Sequence, residues 1–272
     1  MSPQNTISIA GNIGSGKSSV ARRLSELTGW PIVSTGRLFR ELAARRGLTV
    51  LELNQQAETD RSIDDEVDGH LRRLAASGES AVIDSRMAWH FVPGSFKVYL
   101  VVDPRVAVGR VYGAVREDER YASVQEAADN ILARQRVEAE RYHDLYGVHV
   151  DDWRNYDLVV DTSRADVHFI ADLVAAHLAA LDDQPRPVCE LDPRRLLPSA
   201  IPLDQGASDV LRIAVDDDAA VLLSGQDVLE RAQADGDLLV RCELAAYGEE
   251  EIAGMPTAEF VRRAIEHGDR RT

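Results

Sequence analysis

The chain has 272 residues, 44% hydrophobic and 28% charged, with a formal net charge of −15. That composition gives a buried core and room for two domains, and the absence of an apolar run of about 18 residues excludes a predicted membrane-spanning helix. The acidic balance argues against a broad nucleic-acid surface, which depends on exposed cations.

The first element is organised around Gly11-Asn12-Ile13-Gly14-Ser15-Gly16-Lys17-Ser18, which fills every fixed position of the phosphate-binding pattern G-x-x-x-x-G-K-[S/T]. Thr6–Ala10 ahead of it reads as a buried β-strand. Ser18–Thr28 behind it places Val20, Leu24 and Leu27 at helical spacing. Glycines let backbone N–H groups turn toward a phosphate, and a helix N-terminus adds partial positive charge. Lys17 is one of only two lysines among twenty-nine arginines, so a compact, flexible cation has been kept at this position.

Pro31–Ser34 predicts a second strand, followed by a helix from Arg37 to Arg46 stopped by Gly47. Thr49 and Glu52 form a capping-box pattern for the next helix. Ile63, Val67, Leu71 and Leu74 step by three and four, predicting an amphipathic helix over 62–77. Glu79–Asp84 reads as a buried strand ending on an acid, and Phe96–Val102 as another ending at Asp103-Pro104. A long charged helix follows over about 123–146, then a strand over 156–161 and a helix over 167–181. Strands apolar on both faces and alternating with helices predict a five-stranded parallel sheet covered on both sides.

Asp182–Pro187 is polar and proline-bearing, and the predicted domain boundary falls there, between residues 1–182 and 183–272. The second part holds 19 acids against 10 arginines. Strands are predicted over 188–191, 210–215, 219–223 and 238–244, and helices over 226–234 and 257–267, giving a small α+β domain. Cys189 and Cys242 have no metal-ligand spacing, and Met1–Asn5 lacks the basic start and apolar core of a secretion signal. A cytoplasmic protein with reduced core thiols is the expectation.

A phosphate loop alone implies only that a nucleotide binds. Phosphoryl transfer between two anionic substrates needs further cations, and Arg40, Arg86, Arg110, Arg116, Arg120, Arg134 and Arg136 are distributed for that task. Asp84 ends a strand, where ligands bind in open α/β sheets. The simpler alternative for these arginines is a solvated helix face with partners four residues on, such as Arg134 with Glu138.

Residues 6–182 resemble a cytidylate kinase in its short form. The resemblance rests on the glycine loop, Ser34-Thr35-Gly36-Arg37-Leu38-Phe39-Arg40, Ala57–Asp60 with Ile63-Asp64, Ile83-Asp84-Ser85-Arg86, Glu138–Tyr142 with Leu145–Val148, and Tyr156–Ser163. It implies the P-loop NTPase fold and an ATP-dependent kinase acting on a nucleoside monophosphate such as CMP or dCMP. ATP would sit on Gly11–Ser18 and Ser19, with Mg²⁺ held by Ser18 and Asp84. Gly36, Arg40, Arg86 and Trp89 would line the acceptor site, while Lys17, Asp84, Arg110, Arg116 and Arg134 would serve the transfer. Met87–Phe91 is bulky where the family has small residues, which keeps a modified nucleotide or another hydroxylated metabolite as an alternative acceptor. A non-catalytic ATP-sensing switch is a third reading. The C-terminal part weakly resembles the ParB/sulfiredoxin-like fold, with Ser224-Gly225-Gln226-Asp227 as its turn, which implies a regulatory, substrate-capping or homodimer-forming module.

Overall fold

The computed structural model describes residues 5–48, 50–57, 59–113, 121–180, 187–199, 210–217, 219–252 and 254–269. In chain order, β1 (Thr6–Gly11) leads through the glycine loop into α1 (Lys17–Thr28), then β2 (Ile32–Ser34), α2 (Thr35–Arg46), α3 (Val50–Ala57) and α4 (Ser62–Ser77). Next come β3 (Ala81–Asp84), α5 (Ala88–Phe91), β4 (Phe96–Val101), α6 (Pro104–Gly113), α7 (Val124–Tyr146), β5 (Leu158–Asp161) and α8 (Val167–Ala179). The remainder is β6 (Val188–Leu191), β7 (Leu211–Asp216), β8 (Ala219–Ser224), α9 (Gln226–Asp235), β9 (Val240–Tyr247), the short hairpin β10 (Glu251–Ile252) and β11 (Met255–Pro256), and α10 (Thr257–Asp269). No helix among the described residues is long and apolar enough to cross a membrane.

One nine-stranded sheet runs β2-β3-β1-β4-β5-β6-β9-β7-β8. Its first five strands are parallel, as their two-faced apolar sequences require, and place β1 between β3 and β4. The pleat sends Ile7, Ile9, Val98, Leu100, Leu158 and Val160 to one face, packed under Leu24 of α1 and Ile170 and Val174 of α8. Ala10, Tyr99, Val101 and Val159 take the other face with Trp89, Trp153 and Tyr156.

Strands β6 to β9 extend this sheet, while β10 and β11 pair only with each other. β6 pairs parallel to β5 (Leu158↔Val188), β9 pairs antiparallel to β6 (Cys189↔Cys242), and β7 and β8 complete the edge. The predicted α+β composition is present, while the boundary at 182/183 lies outside the described residues and the ladder passes across it. All four residues of β6 are buried, because it lies between two partners with packing above and below. Tyr99, Trp153, Tyr156 and Val159 share one apolar cluster with Cys189, Leu191, Leu222 and Cys242 from the C-terminal strands.

That shared core makes a testable statement about the boundary. Burial of a large apolar side chain is worth about 1.5–3 kcal/mol, so uncovering several exceeds about 5 kcal/mol, the lower end of a domain's whole stability. A chain ending at residue 182 is therefore expected to lack a cooperative thermal transition by circular dichroism. A transition matching that of the full chain would mean that residues 1–182 stand alone.

Candidate active site

The phosphate loop is shaped by close backbone packing. Gly11 has φ 138°, and a Cβ there would lie 2.2 Å from the Leu100 carbonyl oxygen. Gly14 has φ 81°, and its Cβ would meet the Ala107 backbone at 2.8 Å. Both sites exclude a side chain by conformation and by space. Ile13 packs against Val111 and Ile131, which ties the loop tip to α6 and α7. The Ser15 hydroxyl donates to the Asn12 carbonyl at 2.9 Å. Helix α1 starts at Lys17 after Gly16, with no side-chain cap, so its first N–H groups remain for an anion.

Lys17 lies partly buried in this loop and donates from Nζ to the Gly11 and Asn12 carbonyls at 2.9 and 2.7 Å. Burial pulls its pKa down to about 7. The Arg86 charge lowers it further, while the Asp84 and Glu138 carboxylates oppose the shift. The Ser18 hydroxyl donates to Asp84 Oδ2 at 2.7 Å. Asp84 sits at the carboxyl end of β3, in register with Ile9 of β1 and Ser34 of β2, which places it beside the loop.

Arg86, two residues past β3, is ion-paired with Glu138 of α7. Arg134 lies one turn before Glu138, near enough for its charge to lower the Lys17 pKa. Lys17, Asp84, Arg86, Arg134 and Glu138 thus share one site. Next to them, Arg141 lies 3.6 Å from Asp64, and Tyr146 donates to Asp68 at 2.6 Å. Burial raises the pKa of both aspartates above the ordinary carboxylate range, opposed by Arg141 at Asp64 and by the Tyr146 hydrogen bond at Asp68. Asp64 Oδ2 and Arg141 Nε are buried with no hydrogen-bond partner among the described residues. Glu138, Arg141 and Tyr146 were missed as site residues. Their signal was the spacing 134, 138, 141, 142 and 145/146, one stripe of a helix that faces Lys17 at its start and Asp64 and Asp68 of α4 further on.

The other expected site residues are distributed as follows. Arg40 is exposed on α2 with no ion-pair partner among the described residues, and its guanidinium passes 3.7 Å from the position a Gly36 Cβ would take. Arg110 lies in the last turn of α6 and donates to the Gly14 carbonyl at 3.3 Å and to the Thr162 carbonyl at 2.6 Å, so it braces the loop from the β4–β5 side. Arg136 pairs outward with Glu140 at 2.8 Å and takes no part. Arg116 and Arg120 lie outside the described residues.

Trp89 is corrected. It was expected at the acceptor site, but it is 8% exposed in the core beneath the sheet, its ring centroid 5.7 Å from that of Tyr156. The neighbouring bulky residues pack likewise: Phe91 meets Tyr146 edge-on at 5.4 Å and lies under Arg72 at 4.7 Å. A single helical turn cannot present Met87, Trp89, His90 and Phe91 to one side: Met87 and Trp89 are buried while His90 is exposed.

The arrangement is that of a site for transferring phosphoryl groups, and comparison with known proteins agrees. A cytidylate kinase of Methanothermobacter thermautotrophicus is 40% identical over 160 residues, 59% of this chain and 96% of its own. One of Methanothrix thermoacetophila is 38% identical over 175 residues, 64% of this chain and 98% of its own. The crystal structure of an uncharacterized protein of Eubacterium ventriosum shares the fold, with TM-score 0.51 and 21% identity over 64% of this chain and 98% of its own. The model of the cytidylate kinase-like family matches residues 6–164, more than half of the sequence. On the P-loop, the strand-end acid and the family match together, the chain is a phosphotransferase and belongs to the cytidylate kinase-like family.

Proposed function

We propose that this protein transfers the γ-phosphoryl group of ATP to a nucleoside monophosphate, with CMP or dCMP as acceptor. The observation that carries the reading is the convergence of Lys17, Arg86 and Arg134 around the loop mouth beside Ser18 and Asp84. A single bound nucleotide does not require that many cations, whereas two phosphates brought together do. The unfilled polar wall of Asp64 and Arg141 suits a hydrogen-bonding nucleoside. The cytidylate kinases among the relatives supply the choice of base.

In this mechanism the triphosphate lies on Gly11–Ser19 with Lys17 on its outer phosphates. Arg86, positioned by Glu138, and Arg40 hold the acceptor phosphate in line with the γ-phosphorus. One acceptor oxygen attacks, the bond to the bridging oxygen breaks, and ADP leaves; no covalent intermediate on the protein is needed. Ser18 and Asp84 are hard oxygen donors in contact and fit Mg²⁺, which when bound offsets phosphate charge. Lys17 and the arginines offset repulsion between the two substrates. A small-nucleotide substrate, and Cys189 and Cys242 as free thiols facing each other across β6 and β9, support a cytoplasmic setting.

ADP release with ATP, Mg²⁺ and each of CMP, dCMP, UMP and AMP tests the reading. Turnover concentrated on CMP or dCMP is the expected result. Turnover only of another hydroxylated acceptor would replace the acceptor assignment, and tight ATP binding with no turnover would favour a switch. With Met87 and Trp89 packed inward, those two side chains no longer argue for an unusual acceptor, while His90 stays exposed. Arg40→Ala is expected to raise the acceptor KM about tenfold or more, through loss of a charge-assisted hydrogen bond, with the ATP KM little changed. An unaltered acceptor KM would remove Arg40 from the acceptor site.

A further inference from the structure

The C-terminal segment meets the kinase part at a turn that connects to the phosphate loop through Asp161 and its chain neighbour Thr162. Past β6, Asp192 is 3% exposed and accepts from the Arg194 N–H at 3.0 Å, closing the Asp192–Arg195 turn. Gln233 of α9 donates to the Pro193 carbonyl at 2.8 Å, and Arg164 bridges Asp192 and the Asp237 carbonyl at 3.3 and 3.2 Å. From this turn Arg195 reaches back to form an ion pair with Asp161, the last residue of β5.

Asp161 is 1% exposed, and its second oxygen accepts from the Ser163 N–H at 2.8 Å and from the Ser163 hydroxyl. Ser163 Oγ in turn accepts from the Asp103 N–H at 2.8 Å. The residue between them, Thr162, accepts from Arg110, whose other contact is the Gly14 carbonyl. Arg195 thus holds Asp161, the chain itself joins Asp161 to Thr162, and Arg110 spans from Thr162 to Gly14, with the Asp161 charge also felt at Arg110. A buried carboxylate needs a balancing charge, and for Asp161 Arg195 supplies it beside the two hydrogen bonds from Ser163.

In-line transfer puts the acceptor and the leaving nucleotide on opposite sides of the moving phosphorus. Arg40 and Arg86 occupy the α2–β3 side of the loop. Gly14, Arg110 and Thr162 occupy the β4–β5 side, which under the ATP reading above is where the donor lies.

We propose that the C-terminal segment is a built part of the donor side: the Asp192–Arg195 turn positions Asp161, and through it Arg110 and Gly14, so that it sets the affinity for ATP. Arg164 and Arg195 are positioning residues in this scheme and need not touch the nucleotide. The segment read from sequence as regulatory or substrate-capping then acts from the donor side, as the brace of the loop tip.

The test is equilibrium titration of the full chain with ATP in the absence of acceptor, alongside KM for CMP and melting curves. Arg195→Ala is expected to weaken ATP binding roughly tenfold, and Arg164→Ala by roughly three- to fivefold, with the CMP KM within about twofold of the native value. Arg195→Lys keeps the charge and is expected to recover part of the loss. Should Arg195→Ala fail to fold, Arg164→Ala gives the reading, because its side chain is partly exposed and its loss leaves Asp161 paired. Folded variants with native ATP affinity, or with both substrates weakened equally, would overturn the proposal. A native chain that does not bind ATP would overturn the donor reading as well, and with it this one. Since donor binding is measured without acceptor, an error in the choice of CMP leaves the result readable.

Discussion

Lys17→Met is expected to lower kcat by roughly 10³-fold or more, since Lys17 is the one loop cation able to follow charge onto the moving phosphoryl group. Lys17→Arg is not expected to rescue it. The loop mouth is already bounded by Arg86 and Arg134, and a planar guanidinium cannot take the compact place that the ammonium holds against the Gly11 and Asn12 carbonyls. The lowered Lys17 pKa adds a pH signature. In the free protein the group titrates at about 7. A bound triphosphate restores its charge, so binding takes up a proton above that pH, and ATP affinity falls by up to about tenfold per pH unit there. The native Kd measured from pH 6 to 9 should show this slope and the Met variant should not. A flat native profile would show that Lys17 stays charged without ligand.

The same shift has a stability consequence of fixed sign. The folded pKa of Lys17 lies below the unfolded value, so between about pH 7 and 10.5 the unfolded chain binds more protons and stability rises with pH. The cost of burying the charge is present in full below pH 7. Lys17→Met removes it, and the variant is expected to melt higher than the native protein at pH 7 while being inactive. A residue that costs stability where it stands is retained for chemistry.

How far the sequence could be read follows from the range of each interaction. The loop and its flanking elements were legible because they depend on local periodicity and on glycine, and α4 begins and ends where the spacing of Ile63, Val67, Leu71 and Leu74 predicts. Ser123 was also readable as a helix start, and its hydroxyl caps Glu126 at 3.1 Å. Helix α6 was missed, though Pro104 at its first position is a start signal, because Val106, Val108 and Val111 give only a weak stripe.

Long-range choices were less legible. The prolines at 185 and 187 suggested a boundary, yet β6 joins the edge of β5, where Glu190 is buried against His177 and Arg241, both at 3.1 Å. Nothing local distinguishes a strand that extends a neighbouring sheet from one that founds its own. Glu138 is another such case. Sequence spacing offered Glu138 as an i,i+4 partner of Arg134, and gave no sign that it also holds Arg86 from across the site. For Trp89 the residue type left two readings open, a stack on a base or simple packing, and the core took it.

Asp84→Asn is expected to lower kcat by roughly 10²- to 10³-fold and to raise the Mg²⁺ concentration needed for half-maximal rate. The amide keeps the size of the carboxylate, and its carbonyl oxygen can still accept from Ser18, so the loop should hold its shape. What disappears is the charge, and a neutral oxygen holds a divalent ion weakly. Ser18→Ala removes the other donor of the pair and is expected to cost less, since a hydroxyl carries no net charge. Because Ser18 Oγ and Asp84 Oδ2 are 2.7 Å apart and would serve one ion in the proposed site, their effects should not add: the double variant is expected to be little worse than Asp84→Asn alone. Additive losses would mean that the two residues act on different groups, and an unshifted Mg²⁺ titration in Asp84→Asn would confine Asp84 to ordering the loop through Ser18.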